Sequence, residues 1–230
     1  MTVAGRRAAL VLLACLAWAS PVVADEADMP RAGTYTLHRI MAAPDGEVLG
    51  VDGRPERLSR FTHGRITLLG FIYTTCTDPD GCPRAYRVFE TVRDAVAKAP
   101  SLRGGVRIVT LSFDPLRDTP DVMARYGGSR VKHDDSAPPW YFLTTRSARA
   151  LAPLVEGFGQ DIRYTVDRSS GKARRELSHV LKVFLIDPAG FVREIYTSTF
   201  LEPRTVLADI ETLRMDERRR ATAADTAKGP

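Results

Sequence analysis

Cys76 and Cys82 stand six positions apart in a setting that suits thiolate chemistry. The apolar run Ile66 to Tyr73 leads toward Cys76, and the turn-rich Thr77-Asp78-Pro79-Asp80-Gly81 separates the pair. Pro83, favoured at the first position of a helix, follows Cys82. A cysteine at a helix N-terminus meets unpaired N–H groups and the positive end of the helix dipole. Both favour thiolate over thiol, and thiolate is the form that attacks disulfides and binds soft metals. Asp78 and Asp80 disfavour a second anion beside them, a repulsion that a bound cation would relieve. As a staple the pair has little value, because so short a bridge constrains little chain entropy. Disulfide exchange and metal binding are the chemistries left open.

The third cysteine, Cys15, lies in a segment with the layout of a secretory signal. Arg6 and Arg7 precede an apolar run from Ala8 to Ala19, Ser20-Pro21 breaks it, and Val22-Val23-Ala24 precedes Asp25. The run is too short to span a bilayer comfortably. Cleavage after Ala24 is the reading adopted, which removes Cys15 and leaves an exported chain in the periplasm or on the outer face of the inner membrane. Lipidation at Cys15 and an uncleaved N-terminal membrane anchor are the alternatives. Arg6 and Arg7 account for two of the formal +5 charges. The other arginines are scattered, apart from Arg218-Arg219-Arg220, and no basic stripe is interleaved with aromatics. Nucleic-acid binding is therefore not expected.

The elements that position the cysteines follow from apolar periodicity. Ile66 to Tyr73 and Val106 to Phe113 read as strands buried on both faces. Tyr86, Phe89, Val92 and Val96 recur at helical spacing between them. A helix starts at Thr119-Pro120, with Asp118 or Thr119 as its cap. A strand over Trp140 to Thr144, a helix over Ala148 to Phe158, a hairpin of Val180 to Ile186 with Phe191 to Tyr196, and a helix over Pro203 to Met215 complete the pattern. Strand–helix alternation predicts a parallel core sheet, to which the late hairpin adds antiparallel strands. Sites in such sheets form beyond the carboxyl ends of the strands, where Cys76 falls. The division expected is a signal over 1–24, an N-terminal extension with short strands over 25–60, one α/β domain over 61–215, and a disordered basic tail over 216–230. Thr34 to Leu37 and Glu47 to Leu49 are the short strands expected in the extension.

Three sequence signatures carry a family resemblance. Gly70-Phe71-Ile72-Tyr73-Thr74-Thr75-Cys76 with Cys82-Pro83, then Ser112-Phe113-Asp114-Pro115-Leu116-Arg117-Asp118-Thr119-Pro120, then Ser178-His179 leading to Leu185-Ile186-Asp187-Pro188-Ala189-Gly190, resemble in order the motifs of the Sco/SenC copper chaperones. The resemblance spans about Ile66 to Leu213. It implies a thioredoxin-like three-layer fold with a central mixed sheet. It also implies copper, as Cu(I) and in some states Cu(II), on Cys76, Cys82 and His179. The implied partners are a copper-containing oxidase such as cytochrome c oxidase, or another cuproprotein client, and a thiol reductant. One departure stands out: the family has three residues between its cysteines and this chain has five.

Two functions follow from the same residues. One is a copper-binding assembly factor. The other is a thiol-disulfide oxidoreductase using Cys76 and Cys82 as a redox pair, whose spacing differs from the usual Cys-x-x-Cys. A peroxidase of the peroxiredoxin kind fits poorly, because Tyr73 and Leu69 stand where that family has threonine and proline. His38, His63 and His133 are expected on the surface or satisfied in the core, Asp114 and Asp118 in turn or cap roles, Trp140 and Tyr141 in the core. Phe113 and Phe200 are candidates to wall the site.

Overall fold

A computed structural model describes residues 30–167 and 174–227, so the expected signal lies outside the described residues. In chain order its elements are β1 (Met41–Ala42), β2 (Glu47–Leu49), β3 (Pro55–Arg57), α1 (Ser59–Thr62), β4 (Ile66–Ile72), α2 (Cys82–Lys98) and β5 (Val106–Ser112). There follow α3 (Pro120–Gly127), a 3-10 turn, β6 (Trp140–Leu143), α4 (Ala148–Gly157), β7 (Ile162–Asp167), β8 (Arg174–His179), β9 (Lys182–Ile186), β10 (Phe191–Thr197) and α5 (Pro203–Ala227).

Six strands form the central sheet in the order β1-β10-β9-β4-β5-β6. The β4–β5–β6 half is parallel, and β9, β10 and β1 extend it by antiparallel pairing. All seven residues of β4 and all seven of β5 are buried, which explains the near-continuous apolar run of β4, while β5 also buries Arg107, Thr110 and Ser112. Alternate side chains serve opposite faces. Ile66, Leu68, Val106, Ile108, Trp140, Phe142, Val183 and Leu185 pack under α2, α3 and α5. Leu69, Phe71, Val109, Leu111, Leu143, Phe184 and Ile186 pack with Leu151 and Leu154 of α4 and Phe61 of α1. Full burial of each such side chain stabilises the fold by ~1.5–3 kcal/mol before entropy is counted. The result is three layers around a mixed sheet.

Gly70 lets α2 lie close to the middle strand. A Cβ there would stand 2.8 Å from the Phe89 ring, inside any tolerable contact. Asp209 on α5 provides a second tie. It accepts from Tyr35 Oη at 2.5 Å and Tyr196 Oη at 2.6 Å, joining the N-terminal segment and β10 to that helix.

Several expectations change here. Thr34 to Leu37 is not a strand; the Leu37 carbonyl instead accepts from the buried guanidinium of Arg193. Asp187 neutralises that guanidinium at 2.7 Å. Glu47 to Leu49 is a strand, paired with β3. The last helix runs past Met215 to Ala227, so 216–227 is helical rather than disordered. Arginine, glutamate and alanine are strong helix formers, and nothing breaks the helix before Gly229-Pro230. The hairpin of β7 and β8 is absent from the sequence reading. It forms its own two-stranded sheet, pairing Ile162 with His179 at its base.

Candidate metal centre

Thr74 leaves β4 and is caught at once. Its N–H donates to Asp118 Oδ2 at 3.1 Å and its hydroxyl to Asp118 Oδ1 at 2.5 Å. Ser112, the last residue of β5, donates to Asp118 Oδ2 at 2.6 Å. Asp118 is 1% exposed. Its role is therefore not the helix cap expected of it: it fastens the cysteine loop to the neighbouring strand. Thr119 takes the cap position of α3 without a side-chain cap bond. Asp114, also buried, pairs with Arg117 at 3.2 Å.

The loop then folds into two turns. Cys76 N–H donates to the Tyr73 carbonyl, and Gly81 N–H to the Asp78 carbonyl, each at 3.1 Å. Asp78 Oδ1 accepts from Asp80 N–H at 3.1 Å, the turn habit of aspartate. Arg87, one turn into α2, donates to the Pro79 carbonyl at 3.2 Å and so anchors the long loop from outside. Cys82 begins α2, as its Pro83 suggested, and is 1% exposed, whereas Cys76 is half-buried. The two are not joined by a disulfide in this structure.

His179 arrives from elsewhere. The sequence suggested the mouth of the strand leading to Ile186, but it closes β8 instead, and the loop Val180-Leu181 separates it from β9. Gln160 holds that loop by donating to the Val180 carbonyl at 2.7 Å, and Lys182 Nζ donates to the Gly159 carbonyl. Phe113 lies edge-on to the imidazole at 4.5 Å and Tyr73 at 6.0 Å. The imidazole Nδ1 is buried without a partner among the described residues, so this aromatic packing sets the ring's orientation.

The two thiol sulfurs and one imidazole nitrogen all lie within 4.8 Å of one another. Cys82 Sγ is 3.8 Å from His179 Nε2. Metal–nitrogen and metal–sulfur bonds of ~2.0–2.3 Å at trigonal angles place neighbouring donors about 3.5–4 Å apart. The cluster thus fits a soft ion with small closure, and it is the group of this kind found among the described residues. Electrostatics divide the sulfurs. The Cys82 thiol donates to the Cys76 sulfur, and His179 and Tyr73 add further donors, so Cys76 is held as thiolate far below the ordinary thiol range. Cys82 is pushed well up, first by that shared proton and then by burial. Tyr73 is raised by burial and by its bond to Cys76.

The other sequence candidates lie apart from the cluster. His38 is exposed. His63 bonds the Ser59 carbonyl at 3.1 Å, and His133 bonds the Trp140 carbonyl at 3.0 Å. Trp140 is fully buried and Tyr141 half-buried, while Phe200 is 69% exposed and makes no ring contact with His179. Sequence reasoning missed Asp118 as a fastener, Tyr73 as a donor to Cys76, and Gln160. The first lay inside a recognised signature, and the last carried no signal.

A central mixed sheet clad in helices, with two thiols at a strand–loop–helix junction, defines a protein of the thioredoxin-like class. Within that class the chain belongs to the SCO1/SenC family, whose profile matches residues 36–214. It is 25% identical to apo Sco1 from Thermus thermophilus, over 81% of this chain and 99% of that one, with a TM-score of 0.61. Copper-bound ScoI from Arabidopsis thaliana is 19% identical over 76% of this chain and 99% of that one, TM-score 0.58. BsSco, described as having a disulfide switch and as a member of the Sco family of cytochrome c oxidase assembly proteins, is 19% identical over 78% and 98%, TM-score 0.55. No curated protein sequence matches the chain. No described helix is long and apolar enough to cross a membrane.

Proposed function

We propose that this chain binds Cu(I) through Cys76, Cys82 and His179 and, after export, delivers it to a copper centre such as that of cytochrome c oxidase. The observation that carries the reading is the convergence of two sulfurs and a nitrogen within 4.8 Å. Such donors select a soft monovalent ion. Copper bound to the Arabidopsis relative and the assembly role named for BsSco support the same reading. The charged and apolar N-terminus supports export. In this role the protein is a metallochaperone, with copper as cargo and a cuproprotein as client.

A thiol-disulfide role for the same pair is favoured by the proximity of its sulfurs, which lie within 4.8 Å of each other. The opposite shifts of the two sulfurs set an attacking thiolate on Cys76 beside a resolving thiol on Cys82. The two readings part at His179. Copper needs the imidazole as third ligand, whereas exchange needs only the sulfurs. His179→Ala should weaken Cu(I) binding by a factor of ten or more in a competitive chelator titration, in the range typical of lost support at a metal site. It should move the disulfide reduction potential little. Unchanged copper affinity with collapsed thiol exchange would overturn the copper reading.

A further inference from the structure

A hollow of about 310 Å³ opens on the side of Cys76, between the cysteine loop, the first turns of α2 and the last turn of α3. Tyr73, Pro83, Tyr86 and Tyr126 wall it, Arg87 stands at its rim, and Cys76 itself forms part of the lining. Apart from Cys76 and Thr74, whose hydroxyl already donates to Asp118, the polar side chains here are Arg87 and the tyrosines, all of which can donate. Arg87 is exposed, and the one hydrogen bond its guanidinium makes among the described residues is to the Pro79 carbonyl, leaving most of its five N–H groups available. The Tyr126 hydroxyl has no hydrogen-bond partner among the described residues, although its ring is half-buried against Tyr86 at 5.3 Å. No carboxylate lines the hollow. Burial and then the cysteine pair raise the Tyr126 hydroxyl, with Asp118 acting least, and the oxygens of Asp118 are engaged by Thr74 and Ser112.

We propose that this hollow is a subsite for a small thiol bearing a carboxylate, which reduces the Cys76–Cys82 disulfide through Cys76. The carboxylate would sit on Arg87 and Tyr126, where a guanidinium offers two parallel donors. The apolar stem would lie along the tyrosine faces, and the sulfur would meet Cys76. Access fixes which sulfur is attacked, since Cys82 is 1% exposed. The ligand thiolate attacks Sγ of Cys76, the Cys76–Cys82 bond breaks, and Cys82 leaves with the electron pair and takes up a proton. A second thiolate then attacks the ligand sulfur, releasing Cys76 as thiolate and a small-molecule disulfide. Two thiols are oxidised by two electrons, and the protein is reduced by two. The proposal rests on the copper reading only in that Cu(I) loading requires the dithiol this step restores.

The test uses the purified, air-oxidised protein. Reduction by 3-mercaptopropionate is compared with reduction by 2-mercaptoethanol, each rate scaled to its thiolate concentration. The carboxylated thiol should be about fivefold faster at low salt, the worth of one exposed charge contact. The ratio should fall toward one at 1 M salt, and again in Arg87→Gln and in Tyr126→Phe. A ratio near one in the unaltered protein at low salt overturns the subsite, as does a ratio that neither salt nor either variant lowers. The salt series needs no variant to fold. Cu(I) stoichiometry on the same preparations separates the two readings. Preference for the carboxylated thiol without copper binding supports the subsite and sinks the copper reading, whereas copper binding without the preference overturns the subsite alone.

Discussion

Replacing Asp118 by alanine tests whether one buried carboxylate holds the cysteine loop in register. It accepts three hydrogen bonds, two from Thr74 and one from Ser112. A hydrogen bond to a charged group is worth about 1.5–3 kcal/mol, and a buried donor left unmade costs about 1–3 kcal/mol. Ser112 is fully buried and bears that cost in full, whereas Thr74 is half-buried and water recovers part of its loss. The sum is about 3–4 kcal/mol, which at this chain length lowers the melting temperature by roughly 10 °C. Asp118→Asn should cost less, about 1–2 kcal/mol, because one oxygen still accepts and the Thr74 hydroxyl can turn to accept from the amide. Urea unfolding of the metal-free protein measures both variants. A Cu(I) chelator titration should show at least a tenfold loss for the alanine variant, since binding must then order the loop at about 1–2 kcal/mol per residue. The clamp argument fails if Asp118→Ala unfolds at the urea concentration of the parent and binds copper equally well.

Two further outcomes follow. Iodoacetamide should label the metal-free dithiol protein on Cys76 at a rate nearly independent of pH from 8 down to about 5, because that sulfur is already thiolate; peptide mapping that finds Cys82 labelled first would contradict the shared-proton arrangement. At the alkaline end, Tyr35 is pushed up to about 12, by burial and then by its bond to Asp209, and Tyr196 is raised further for the same reasons. The folded state keeps protons that the unfolded chain releases near pH 10, so stability should be intact below pH 10 and fall as pH rises from 10 toward 12. Melting curves across that range should show Tyr35→Phe starting less stable but losing less per pH step.

Much of this site was legible because its chemistry is local. The buried run of β4, the turn residues of the loop and the proline after Cys82 together specify a strand, a loop and a helix start. The cysteine spacing marks the junction. His179 was identified only through the signature around it, since a lone histidine carries no period or spacing of its own. Its supporting hairpin went unread. Ile162 to Asp167 alternates as a strand should, but its partner strand opens on a basic run from Arg174 that reads as surface. Gln160 is beyond any pattern argument, because its value lies in one carbonyl twenty residues away. The α5 extension was lost to composition: charge and alanine were read as disorder, although the same residues propagate a helix that has already begun.

Cys82 and His179 are 97 residues apart in the chain, whereas the cysteines share one loop. At ~5–20 residues per second of synthesis, the chain carries both thiols for about 5–20 s before the imidazole exists. During that interval a thiolate pair can chelate or oxidise, but the three-donor site cannot form. The pair's first chemical encounter is therefore as an open dithiol in an unfinished protein. Completion of the site therefore requires the β7–β8 hairpin, which carries His179, to meet the cysteine loop.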